Sequence, residues 1–258
     1  MGREYYERSA VYSVLARLGR AGLAWECLRR NARYQDDYRA LANKGDADKQ
    51  LSERWGIRFP GDPDLAAERA GVMWESRLNP ATVFVGPVPE DFPGACRIEM
   101  LKPVVARRGD RGEFLLIKCD GGDPVPIVLL AGADDTVAVA AIIGFGDEFE
   151  SRAGAARSVG RAMSGMKPYA SVDDLTAAQR RHVVLALWAV DLHRSGLTVR
   201  QIAREIFGES QVPSGREWSG HPLYGQTMRL VARGAKLVEG GGYLSLLRKA
   251  RRPRRIAA

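Results

Sequence analysis

The stretch LTVRQIAREIFG, residues 197–208, opens with a helix start, carries an apolar stripe and stops on glycine. Thr198 and Gln201 have the capping-box spacing, in which each side chain satisfies a backbone N–H that the first turn leaves without a partner. Val199, Ile202, Ala203 and Ile206 fall on one side of the predicted helix, and Arg200, Gln201 and Arg204 on the other. Such a helix suits the first half of a helix-turn-helix, and it also suits any small packed core. The segments on either side bear on the choice.

Upstream, TAAQRRHVVLALWAVDLHRSG begins at 176 with a second capping box, Thr176 with Gln179, and is apolar on all sides from Val183 to Val190. That profile predicts a centrally buried helix. Downstream, the linker GESQVPSGREWSGHP precedes a helix that starts at Pro222, where proline suits the first turn, and runs to about Val238 before a glycine run stops it. Leu223, Thr227, Leu230, Val231 and Val238 share one face of it. Gln226, Arg229, Arg233 and Lys236 occupy much of the remainder and form the candidate recognition surface. His221 and Tyr224 sit at its start, where exposed N–H groups can meet a phosphate. An ordinary helix-turn-helix has a turn of three or four residues, whereas about a dozen separate Phe207 from Pro222. From the pattern alone, a DNA-reading helix and a solvated basic helix both stand.

The charge distribution narrows the partner. Residues 1–170 carry 24 Lys and Arg against 24 Asp and Glu, while residues 171–258 carry 15 against 7, so the whole net charge of +8 lies in the last third. A localised basic excess is the signature of a polyanion partner. Six of those cations belong to the tail RKARRPRR, residues 248–255, which suits either a grip on backbone phosphates or a solubilising extension. The DNA-binding candidates are therefore Arg216, His221, Tyr224, Gln226, Arg229, Arg233 and Lys236, with Arg248, Lys249, Arg251 and Arg252 in the tail.

Before the helical third, residues 9–42 read as helix with Val11, Val14, Leu15, Leu18, Trp25 and Leu28 near one face and a break at Gly19 to Gly22. Residues 44–65, rich in charge, Gly and Pro, read mostly as loop. The runs ATVFVGPV, EFLLIKC, VPIVLL and TVAVAAII are strand-like, and the turns GDRG, DGGD and GADD separate the later ones at hairpin distances, which predicts a small antiparallel sheet. Residues 147–164 form a further helix, weakened by Gly154 and Gly160. The expected class is α+β: an N-terminal helical regulator domain (1–68), an antiparallel β region (69–145), a C-terminal all-helical, helix-turn-helix-like DNA-binding domain (146–247) and a basic tail (248–258).

Several classes of function find no support. The first residues lack the apolar run of a signal peptide, and VAVAAIIGFG, 137–146, is too short to span a bilayer, so a soluble, cytoplasmic protein without a membrane partner is expected. Cys27, Cys96 and Cys119 are scattered without CxxC spacing, which favours a reducing compartment over a disulfide framework or structural zinc. His182 and His193 lie about 16 Å apart along one helix and cannot share a metal ion there. GFGDEF at 144–149 has Phe149 where a dinucleotide loop needs glycine, and GxxxxGK, GxSxG and HExxH are all missing. No histidine is followed by Arg at the HxxR spacing of a tyrosine recombinase. No catalysis, metal or cofactor is expected. Trp25, Trp188 and Trp218 read as core or interdomain residues, as do Trp55 and Trp74.

GLAWECLRRNARYQDDY (22–38), RWGIRFPGDPDL (54–65) and VMWESRLNPATVFV (72–85) resemble the N-terminal domain of proteobacterial transcriptional regulators of the FseA and RovC type, associated with conjugative-element transfer and type VI secretion. LTVRQIAREIFG, the linker around Trp218, LYGQTMRLVARGAKLV and GGYLSLL (241–247) resemble that family's C-terminal domain. The resemblance implies a helix-turn-helix variant with an extended turn, one side on DNA and the other on the N-terminal domain. It further implies a transcriptional activator whose partners are double-stranded promoter DNA, RNA polymerase, an antiactivator protein and a second copy of itself. A different role also follows from relatives built of the C-terminal domain alone: an antiactivator-like module that docks on a partner regulator. The recognition helix here begins LYGQTM, less basic than the family pattern.

Overall fold

In the computed structural model, which describes residues 12–41, 47–109, 112–118, 123–168 and 175–248, the chain is α+β. Residues 12–15 make a helical turn, and α1 (Arg20–Leu28) begins afresh after Gly19. The break thus falls at residues 16–19, and Gly22 lies inside α1. Asp123 explains both glycines: its carboxylate accepts from the N–H groups of Gly19 (3.0 Å) and Ala21 (2.6 Å). A Cβ on either Gly19 or Gly22 would fall 2.6 Å from a carboxylate oxygen. A second break, absent from the sequence reading, separates α1 from α2 (Ala32–Leu41). There the Asn31 side chain accepts from the N–H groups of Arg33 and Tyr34 and so caps α2. Val14 is exposed and off the core face; Val11 lies outside the described residues.

Helix α3 (Ala47–Trp55) occupies much of the stretch that its composition assigns to loop. Packing overrides composition there: Leu51 is buried, Trp55 stands edge-on to Tyr34 at 5.7 Å, and its indole N–H donates to Asp37 (2.8 Å). A single turn, α4 (Ala67–Ala70), leads to the sheet.

Strands β1 (Val83–Pro87), β2 (Pro103–Gly109), β3 (Gly112–Ile117), β4 (Val125–Leu129) and β5 (Val139–Ile142) run in the order β2-β3-β4-β1-β5. The sheet is mixed rather than antiparallel, because β1 and β4 pair in parallel, Val83 opposite Ile127. The GADD segment accordingly makes no hairpin; β5 crosses to the far side of β1. Strand β2 escaped the sequence reading because it is an edge strand whose residues alternate only between exposed and half-buried. Val83, Val85, Leu115, Ile117, Ile127 and Leu129 face α5 (Phe149–Met163), which contributes Ala155 and Val159. Phe114, Leu116 and Val128 face the other way, against Met73.

The last third forms α6 (Ala177–Arg194), α7 (Val199–Phe207) and α8 (Pro222–Val238). Both capping boxes are present. These helices share one core with the N-terminal helices, in which Leu23, Trp25, Leu28 and Tyr34 join Leu187, Val190, Leu230 and Tyr243. Among the described residues α5 packs on the sheet, and residues 12–57 and 175–247 share a common helical core.

Candidate nucleic-acid interface

Helix α6 is the scaffold, buried from Val183 to Val190 save for the half-buried Leu185. Helix α8 crosses it at Gly234, where a Cβ would meet the carbonyl oxygen of Ala186 at 2.3 Å and the Val190 side chain at 2.7 Å. Only glycine permits that approach. Leu230, Leu237, Val238 and Thr227 are buried on the same side, the Thr227 hydroxyl donating to the Leu223 carbonyl (2.6 Å). Val231 is half-buried at the rim.

Between α7 and α8, residues 208–221 are ordered by short 3₁₀ turns, Glu209–Gln211 and Gly215–Gly220, and by contacts back to α7. Val212 is buried, Arg200 donates to the Pro213 carbonyl (2.5 Å), and Arg204 pairs with Glu209 (3.3 Å). The start of α8 is capped by His221, whose Nδ1 accepts from the Leu223 N–H (3.3 Å). Trp218 stacks on His221 and stands edge-on to Tyr224 (centroids 6.3 and 5.7 Å). Trp218 thus braces the start of its own helix. Trp25 and Trp188 do lie in the core that joins the two ends of the chain: Trp25 donates to the Leu65 carbonyl, and Trp188 stacks on Tyr12 at 5.0 Å.

The outward face of α8 presents Gln226, Arg229, Arg233 and Lys236, all exposed and none in an ion pair among the described residues. Tyr224 and Met228 are exposed beside them, and Arg216 is exposed on the preceding turn. His182 of α6 adjoins this face, a placement the sequence order hides because only the α6–α8 crossing creates it. Partial burial, with the nearby Arg233 charge adding to it, holds its imidazole below the ordinary histidine range. Arg181, next to it, is exposed.

The opposite side of the domain is committed to the N-terminal helices. Arg30 pairs with Asp191 (2.9 Å) and Glu26 (2.5 Å), Arg29 pairs with Glu26, and Glu26 also accepts from the Ala67 N–H. Burial works against ionising Glu26, but Arg30 and Arg29 outweigh it and keep the carboxyl below its ordinary value. Burial, reinforced by Asp191, pushes the Tyr12 hydroxyl far up, and that hydroxyl donates to Asp191 (2.8 Å). Cys27, fully buried beside them, is pushed up by burial to about 12. Asn31 donates to the Val238 carbonyl, Arg194 to the Arg30 carbonyl, and Tyr243 to the Trp55 carbonyl. Arg248 belongs to this side too: it donates to the Arg77 carbonyl and lies 3.7 Å from Glu148, so it is engaged away from the α8 face. Lys249, Arg251 and Arg252 lie outside the described residues.

Among the described residues, no three His, Cys, Asp or Glu side chains are grouped as metal ligands, and no helix is long and apolar enough to cross a membrane. A three-helix unit with one cationic face open and the other locked to a second helical module is an arrangement suited to a DNA-binding transcriptional regulator. Family comparison agrees in both halves. Residues 142–248 match the family model described as "T6SS, Transcription factor, DNA binding domain", and residues 7–60 match the proteobacterial transcriptional regulator-like domain. The chain therefore carries, in order, the two domains of the regulator family that its sequence resembles. No curated protein matches it.

Proposed function

We propose that the protein is a transcriptional activator of genes for mobile-element transfer or secretion, and that it lays the Arg229–Arg233–Lys236 face of α8 on promoter DNA as an extended-turn helix-turn-helix. The observation that carries this reading is the contrast in cation pairing. Arg29 and Arg30 are held by carboxylates on the inward side. The α8 cations face solvent without such partners among the described residues, and guanidinium groups there can reach phosphates and the acceptor edge of guanine. Arg216 and Gln226 flank this surface, while Tyr224, His221 and Trp218 shape its leading end. RNA polymerase, an antiactivator or a second protomer would meet the protein elsewhere, since the inward side is already occupied.

Binding of the purified chain to its own upstream DNA and to a scrambled duplex, across roughly 50–200 mM salt, tests this reading. A preference for the upstream fragment that survives the higher salt supports a sequence-reading regulator. Equal loss on both duplexes points instead to the antiactivator-like docking role.

A further inference from the structure

On the sheet face away from α5, a cavity of about 90 Å³ opens between the β1–β3–β4 surface and the segment that carries Arg58 and Trp74. Its walls are apolar and aromatic, with Phe84, Phe114 and Val128 rising from adjacent strands. The charged groups at its margin, Arg58 and Glu75, stand 3.5 Å apart, and the Arg58 guanidinium lies 4.9 Å over the Phe114 ring. Thr82 also lines it, and the Thr82 hydroxyl is buried without a hydrogen-bond partner among the described residues. A native fold rarely leaves such a group unsatisfied. An apolar recess with a few polar groups is the ordinary form of a small-molecule site.

We infer that this cavity binds a small neutral molecule with an apolar body and one hydroxyl or carbonyl group, the polar group meeting Thr82 and the body lying between the aromatic walls. Neutrality follows from the charges around it, where Arg58 faces Glu75 and Arg152, which lies over the Phe84 ring and donates to the Thr82 and Ser76 carbonyls, is itself paired with Glu148. The volume is below the roughly 150 Å³ that encloses benzene, so a one-ring ligand fits with part of it at the open mouth. Trp74 gives the site a route to the DNA-binding half: it lines the cavity, its indole N–H donates to the Ala21 carbonyl, and its ring lies 5.8 Å from Tyr243 in the shared helical core. An occupant that shifts Trp74 therefore shifts the packing on which α8 rests.

Phenol and toluene, close in shape and differing by one hydroxyl, are the probes. Each is titrated into the ¹⁵N-labelled full chain and into Thr82→Val, which removes the hydroxyl without changing the side chain's shape. The expected result is saturable shifts at cavity residues, phenol binding at least about fivefold more tightly than toluene, and a preference that falls to within about twofold in the variant. Thr82→Ser should retain the preference. Shifts scattered away from the cavity, no saturation with either probe, or a phenol preference that is absent or unchanged by Thr82→Val would overturn the assignment.

Discussion

The helical body and the sheet unit are built on opposite plans. The sheet and its covering helix come from one continuous segment, Thr82 to Met163, and close a local core. The helical body joins residues 12–57 to residues 175–247, so its contacts span most of the chain. Its ion cluster, Arg30 with the buried Glu26 and the half-buried Asp191, ties the module that precedes the sheet to the module that follows it. The lesson is that the DNA-facing helix depends for its position on residues about two hundred positions earlier in the chain, such as Asn31, whose amide donates to the Val238 carbonyl.

Breaking that long-range seam should have the largest effect. Arg30→Met leaves the buried Glu26 with Arg29 alone and the half-buried Asp191 without its cation, and should cost about 3 kcal/mol of stability in denaturant unfolding. The same measurement at falling pH sharpens the point. Glu26 titrates below its ordinary value in the fold, so its contribution is present above that value and is lost as the pH falls through the lowered one. The wild type should therefore lose stability on acidification more steeply than Glu26→Gln.

Gly234→Ala tests the α6–α8 crossing, because the added methyl meets the Ala186 carbonyl. A loss of about 1–3 kcal/mol is expected, together with weaker DNA binding. Arg229→Ala with Arg233→Ala should do the reverse: melting temperature unchanged, promoter affinity down about 10- to 100-fold, and a salt slope reduced by about two. If affinity holds, the outward face is not the DNA surface. Thr198→Ala, which removes the α7 cap, should cost about 1 kcal/mol. The smallest effect concerns His182. Partial burial and then the Arg233 charge hold its imidazole low, and a phosphate brought to that face would raise it. Promoter affinity should then rise a few-fold between pH 8 and pH 6, with a flatter profile in His182→Gln.

The sequence by itself determined the elements whose signals are local. The two capping boxes, the all-round apolar α6, the proline start of α8 and its amphipathic stripe are each written within a turn or two of helix, so α6, α7 and α8 fall where the pattern puts them. The strands β1, β3, β4 and β5 were legible for the same reason, as were the α8 candidates Gln226, Arg229, Arg233 and Lys236, because helical spacing alone fixes a shared face. Only the tertiary structure decided the rest. The parallel β1–β4 pairing, the edge strand β2, the helix α3 held by Tyr34 and Asp37, and the glycines fitted to Asp123 all depend on partners far along the chain. The bracing role of Trp218, the engagement of Arg248 by Arg77 and Glu148, and the arrival of His182 beside Arg233 are of the same kind. Helical periodicity says which side chains share a face, but which face meets a neighbour is set when the two ends of the chain close on one core.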